Sequence, residues 1–139
     1  MMGCVLAAQI ATAAPEWLTS VPSAQAKAKN ESKLVLLDFT GSDWCVWCKK
    51  LDADVFSKPD FASYASKNLV LVEVDFPSHK AQSDQLKSAN AALQSKYNIE
   101  GYPTLVALTP AGAVVWKHEG YLEGGPSAMI SQLDEARKK

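Results

Sequence analysis

Asp43-Trp44-Cys45-Val46-Trp47-Cys48-Lys49 sets two cysteines three positions apart, between an apolar run and a helical pattern. The run before it, Leu34-Val35-Leu36-Leu37-Asp38-Phe39, reads as a buried strand. After it, Trp47, Leu51 and Val55 recur at i, i+4 and i+8, which predicts one apolar stripe of a helix reaching about Phe56. Cys45 then falls at the helix N-terminus and Cys48 one turn inside. The first turn of a helix has unpaired N–H groups, and its aligned peptide dipoles favour negative charge. A thiolate is the reactive form of cysteine, so a sulfur held there becomes a good nucleophile near neutral pH. A second sulfur one turn away can attack the resulting mixed disulfide and release it. Two other readings of such a pair stand beside this one. A closed zinc site needs four ligands, and Cys4, His79 and His118 are scattered singly. A purely structural disulfide closing so small a loop would constrain the unfolded chain little.

The totals narrow the classes further. The chain has 139 residues, enough for one domain with a real core. A hydrophobic fraction of 47 % and a charged fraction of 21 % are ordinary for a globular protein. The net charge of −1 and the lack of a basic block argue against nucleic acid or an anionic membrane as main partner. An odd count of 3 cysteines does not fit a disulfide-stapled scaffold. No apolar run approaches the length of about 18 residues that a membrane span needs. Residues 1–14 are small and apolar, and Ala11-Thr12-Ala13 has the pattern of an export-signal cleavage site, without a basic residue ahead of it. They read as the remnant of an export signal or as an apolar tail, and residues 15–139 as a single domain.

Along that domain, Pro22 opens a short alanine- and lysine-rich helix. Beyond the cysteines, Asp60 to Lys67 forms a short amphipathic helix, and Leu69 to Asp75 a strand apolar enough to be covered on both faces. Leu86, Ala89, Leu93 and Tyr97 mark the apolar stripe of a longer helix. Thr104 to Leu108 and Ala113 to Trp116 pair as a hairpin around Pro110-Ala111-Gly112. Gly124-Gly125-Pro126 opens a closing helix with Met129, Ile130, Leu133 and Ala136 inward. The expected class is α/β, a central mixed sheet with helices on both faces.

This order of elements, with its W-C-x-x-C helix and the later Gly101-Tyr102-Pro103-Thr104, resembles the thioredoxin superfamily from about Lys33 onward. Within it, Asp43 to Lys49 and Val55-Phe56-Ser57 resemble the C-terminal domain of the disulfide reductase DsbD and related stand-alone proteins of bacterial envelopes. The resemblance implies a thioredoxin-like fold and thiol–disulfide exchange, with Cys45 as nucleophile and Cys48 as resolving cysteine. Asp38 matches the buried acid that moves a proton to or from the resolving thiol; the plainer role is a hydrogen bond to neighbouring backbone. A carboxyl in an apolar strand should have a raised pKa. Asp52 matches an acidic position beside the pair. Pro103 matches the family's cis-proline, turning the backbone of Tyr102 toward an extended substrate, with Trp44 and Trp47 as platform residues. Two departures stand out. The second-strand lysine of thioredoxin is replaced by Leu71 or Glu73, and the segment from Asp75 to Pro103 is longer, which is expected to lengthen a helix.

The expected protein is therefore a thiol–disulfide oxidoreductase, working in the reducing direction in the periplasm or outside the cell. It needs no metal and no cofactor. Its partners would be disulfide-containing proteins and a dithiol electron donor, and it would act as a monomer. The alternatives are a disulfide oxidase or isomerase, and a non-catalytic peptide-binding module.

Overall fold

The computed structural model describes residues 14–139. Cys4 and the cleavage pattern at Ala11 to Ala13 lie outside the described residues. The described chain runs β1 (Trp17–Leu18), α1 (Val21–Glu31), β2 (Leu34–Thr40), α2 (Val46–Leu51), a π-helical segment (Asp52–Phe56), α3 (Pro59–Asn68), β3 (Leu69–Asp75), α4 (Asp84–Lys96), β4 (Thr104–Leu108), β5 (Val114–Glu119) and α5 (Gly125–Arg137).

The strands form one five-stranded sheet in the order β1-β3-β2-β4-β5. β1 and β3, and β3 and β2, pair in parallel, whereas β4 is antiparallel to both β2 and β5. β2 is central, and all of its residues are buried. Strand side chains alternate between faces, so each strand feeds two cores. Leu34 and Leu36 join Leu69, Leu71, Leu105 and Ala107 under Leu51, Val55, Phe61, Met129 and Leu133. Val35, Leu37 and Phe39 join Val70, Val72, Val74, Val106 and Leu108 under Val21, Ala24 and Ala28 of α1. Asp38 and Thr40 continue the first series, which places them on the face that carries α2. Glu73 and Asp75 do the same on β3.

Local chemistry explains the helix boundaries. Ser20 caps α1, its hydroxyl accepting the Ser23 N–H at 3.3 Å, with proline in the first turn. Ser83 caps α4 in the same way at 3.1 Å. Gly124 precedes α5 with φ of 100°, in the left-handed region that glycine enters without strain.

Four features depart from the sequence reading. Trp17 and Leu18 form a short edge strand through pairing with Leu71 and Val72, a contact invisible to local pattern. The helix after the cysteines does reach Phe56, but as π-helix beyond Leu51, with Ser57 N–H bonding Asp52 C=O at 2.8 Å. A π segment takes in more residues per turn, so the buried positions walk from Cys48 and Leu51 to Val55 and Phe56. Trp47, in the first turn of α2, lies off the apolar stripe and is 55 % exposed. On α4, Ala89 is exposed and Asn90 is the buried residue, its amide donating to the Asp75 carbonyl at 3.1 Å.

Leu51→Ala should cost about 2–5 kcal/mol of stability, because a fully buried leucine leaves a cavity. Trp47→Ala should cost about 1 kcal/mol or less despite deleting a larger side chain. Denaturant unfolding of the two variants checks the pair of outcomes.

Candidate active site

The end of β2 delivers the chain to the site. Thr40 is the last strand residue, and a tight turn follows in which Cys45 N–H bonds the Gly41 carbonyl at 2.8 Å. Cys45 is the N-cap of α2, with extended backbone, and its sulfur accepts the Cys48 N–H at 3.2 Å. The two sulfurs are joined as a disulfide, with Cα atoms 5.2 Å apart. Each cysteine is only 6 % exposed. When the bond opens, a Cys45 thiolate keeps a backbone N–H aimed at it and the helix end behind that, both favouring negative charge.

Three residues, Ser42, Asp43 and Trp44, hold the turn to the end of β3 and the loop after it. The Asp43 carboxylate accepts N–H bonds from Ser78, His79 and Lys80 at 2.8, 2.7 and 2.8 Å. These bonds, the Ser78 one foremost, lower the Asp43 pKa to about 2. The Trp44 indole N–H donates to the Phe76 carbonyl at 2.7 Å. Its ring lies so close over Gly41 that a β-carbon there would collide with it. Ser42 N–H meets the Asp75 carboxylate at 2.9 Å.

The outer lip is apolar. Trp44, Val46 and Trp47 are exposed around the disulfide. Tyr102 meets Trp44 edge-on at 5.7 Å and Phe76 at 5.3 Å, and accepts a hydrogen bond from Gln94 at 2.8 Å. The Tyr102–Pro103 bond is cis, as the resemblance implies, and Pro103 is buried. Trp47 rests against Tyr121 at 5.6 Å, and Tyr121 donates its hydroxyl proton to Asp54. His79 is exposed, and His118 is half-buried, stacked on Trp116.

Behind the disulfide the chemistry changes sign. A cavity of about 150 Å³ is lined by Cys48, Asp38, Glu73 and Asp52, with Trp17, Thr40, Ser42 and Lys49. Two larger depressions beside Pro15 touch neither cysteine. Asp38 is 9 % exposed, and among the described residues its Oδ1 has no hydrogen-bond partner. Burial, followed by the charges of Glu73, Asp52 and Asp75, pushes its pKa up to about 8. Burial also raises the pKa of Glu73, and Asp75 adds to the effect.

The structure thus brings Asp38 beside Cys48 in one cavity, and Trp44 and Trp47, with Tyr102 against Trp44, around the disulfide; Pro103 follows Tyr102 in the cis loop. The sequence reading does not place Asp43, Phe76 or Tyr121 there. Asp43 is legible only as an acid beside the cysteines, and Phe76 and Tyr121 carry no local signal. Among the described residues no group of 3 or more His, Cys, Asp or Glu could hold a metal ion.

The Asp38 carboxyl predicts a pH dependence of stability. Its pKa is raised from 3.8 to about 8 by folding, so the folded state holds a proton that the unfolded chain gives up. Stability is then full below about pH 4 and falls as pH rises toward 8. Asp38→Asn should flatten that slope in the disulfide form, read by urea unfolding between pH 4 and 9.

Comparison with known proteins agrees with this geometry. Residues 21–137 match the family described as thioredoxin-like domain. The chain is 34 % identical over 129 residues to the disulfide bond reductase DsbH of Chlamydia pneumoniae, covering 93 % of this chain and 76 % of that protein. A solved structure titled DsbH oxidoreductase superposes with a TM-score of 0.87 at 31 % identity, over 99 % of this chain and 94 % of that one. The oxidised C-terminal domain of DsbD from Neisseria meningitidis shares the fold, with a TM-score of 0.62 at 18 % identity, over 87 % and 99 % of the two chains. The chain belongs to the thioredoxin-like family and is a thiol–disulfide oxidoreductase whose CxxC pair is Cys45–Cys48.

Proposed function

We propose that this protein reduces disulfides in partner proteins of a bacterial envelope, with Cys45 attacking, Cys48 resolving and Asp38 moving the proton. The observation that carries the reading is the asymmetry of the pair. Cys45 receives a backbone N–H at the helix start, and Cys48 shares a cavity with a buried acid.

The cycle balances as follows. The Cys45 thiolate attacks one sulfur of a partner disulfide; the Cys45–partner bond forms, and the other partner sulfur leaves and takes up a proton. Cys48 passes its proton to the Asp38 carboxylate and attacks Cys45 Sγ. The Cys45–Cys48 bond forms and the second partner sulfur leaves, so two electrons have reached the partner. A dithiol protein returns them by opening the disulfide. At that moment Asp38, still protonated near neutral pH, stands ready to protonate the emerging Cys48 thiolate. Trp44, Trp47, Tyr102 and Pro103 form the surface on which the partner segment lies, its backbone pairing beside Tyr102 as an added strand.

Similarity to a protein named as a disulfide bond reductase supports the reducing direction. The Ala11-Thr12-Ala13 pattern supports export to an oxidising compartment. No helix among the described residues is long and apolar enough to cross a membrane.

The reduced protein should speed insulin reduction by dithiothreitol, and Cys45→Ser should abolish this. Cys48→Ser should accumulate a mixed disulfide through Cys45, and Asp38→Asn should slow turnover about tenfold or more near pH 7. The potential of the pair should fall near −270 mV; a value near −120 mV would instead indicate an oxidase. A protein inert in both the insulin and the trapping assays would be a peptide-binding module.

A further inference from the structure

Glu73 is the one charged residue in the middle of an otherwise apolar strand. It is the parallel-register partner of Asp38. Both occupy the sheet face that carries α2, and both line the cavity that reaches Cys48. They differ in depth. Asp38 is nearly sealed, with an oxygen that lacks a partner among the described residues, whereas Glu73 is the only half-buried residue of β3. The remaining groups around them are known. Asp75 closes the same strand but is engaged by Ser42 and by Lys80 at 3.5 Å. Asp52 and Lys49 line the cavity from the helix side, and β1 contributes Trp17, which is uncharged. Among the described residues neither Asp38 nor Glu73 forms an ion pair.

We propose that Glu73 is a positioning residue for the thiol chemistry: acting through Asp38, it keeps the shared proton beside Cys48 and gives that proton its way out to solvent. This rests on the reading of Cys48 as the resolving thiol. Two carboxyl groups facing one cavity do not readily carry two negative charges. Glu73, nearer water, loses its proton first, and its charge then opposes ionisation of Asp38. A lysine in that place would do the opposite. Glu73 therefore moves upward the pH at which Asp38 can accept the Cys48 proton. The released proton passes from Cys48 Sγ to Asp38, which keeps it near neutral pH; only above the Asp38 midpoint does it leave, through Glu73, to water. The sulfur left behind forms the Cys45–Cys48 bond as the Cys45–partner bond breaks.

The test uses the reduced protein and one equivalent of an aromatic disulfide whose thiolate product is coloured. Stopped-flow absorbance resolves two releases: the first reports Cys45 attack and the second Cys48 attack. The pH midpoint of the second release should fall by about half a unit or more in Glu73→Gln, an increase of about threefold or more in rate below the midpoint. It should fall further in Glu73→Lys, with the first release little changed. This graded order, wild type above Gln above Lys, is not expected of a residue that only packs, and Gln alone decides if the lysine variant does not fold. Midpoints that coincide, or that rise in Glu73→Gln, would overturn the proposal while leaving the thiol assignment intact. A wild-type protein with a first release and no second at any pH would overturn both.

Discussion

A carboxylic acid buried in the covered face of a sheet is the constraint on which this site depends. An ionised group in such surroundings is strongly disfavoured unless it is paired. Among the described residues Asp38 forms no ion pair and has an oxygen without a partner, so its neutral form is the one the fold accommodates. It therefore keeps its proton near neutral pH, and it lines the same cavity as Cys48.

The same constraint explains why charge gathers behind the disulfide and not in front. β2 and β3 are covered on both faces for most of their length, and only their C-terminal ends approach the start of α2. Polar side chains can be tolerated there because the cavity opens between β1, β3 and α2. In front of the sulfurs the surface is aromatic and exposed. In the proposed cycle a partner meets this apolar lip while the proton moves through the carboxyl-lined cavity, so water can be excluded from the exchanging sulfurs without closing the route of the proton.

Rigidity comes from a different set of residues. The turn before Cys45 is fixed from below by Gly41, over which Trp44 folds, and from the side by the Asp43 carboxylate in its cradle of three backbone N–H groups. The longer segment between β3 and Pro103 therefore has a task besides lengthening a helix. Its first residues grip the cysteine turn, and Gln94 on α4 braces the Tyr102 ring. Asn90 and Gln82 both reach the carbonyl of Asp75, tying this segment to the strand end beneath it.

Much of this was legible in the chain. The apolar run through Phe39, the cysteine spacing, the hairpin after Thr104 and the closing helix all appear in the structure. Each rests on interactions between residues close in sequence, which periodicity and turn chemistry report. The neighbourhood of Cys45 and Cys48 is local in the same sense, since one helical turn brings them together. What the sequence could not decide depends on register and packing between distant segments. Trp17 becomes a strand residue only because Leu71 lies beside it. Trp47, four positions before the buried Leu51, faces solvent in the first turn of α2, where it rests against Tyr121. Glu73 reads as one acid in an apolar strand until parallel pairing sets it next to Asp38. Local sequence determined which sulfurs react; only tertiary structure decided which carboxyls surround them, because strand register is a property of two segments at once.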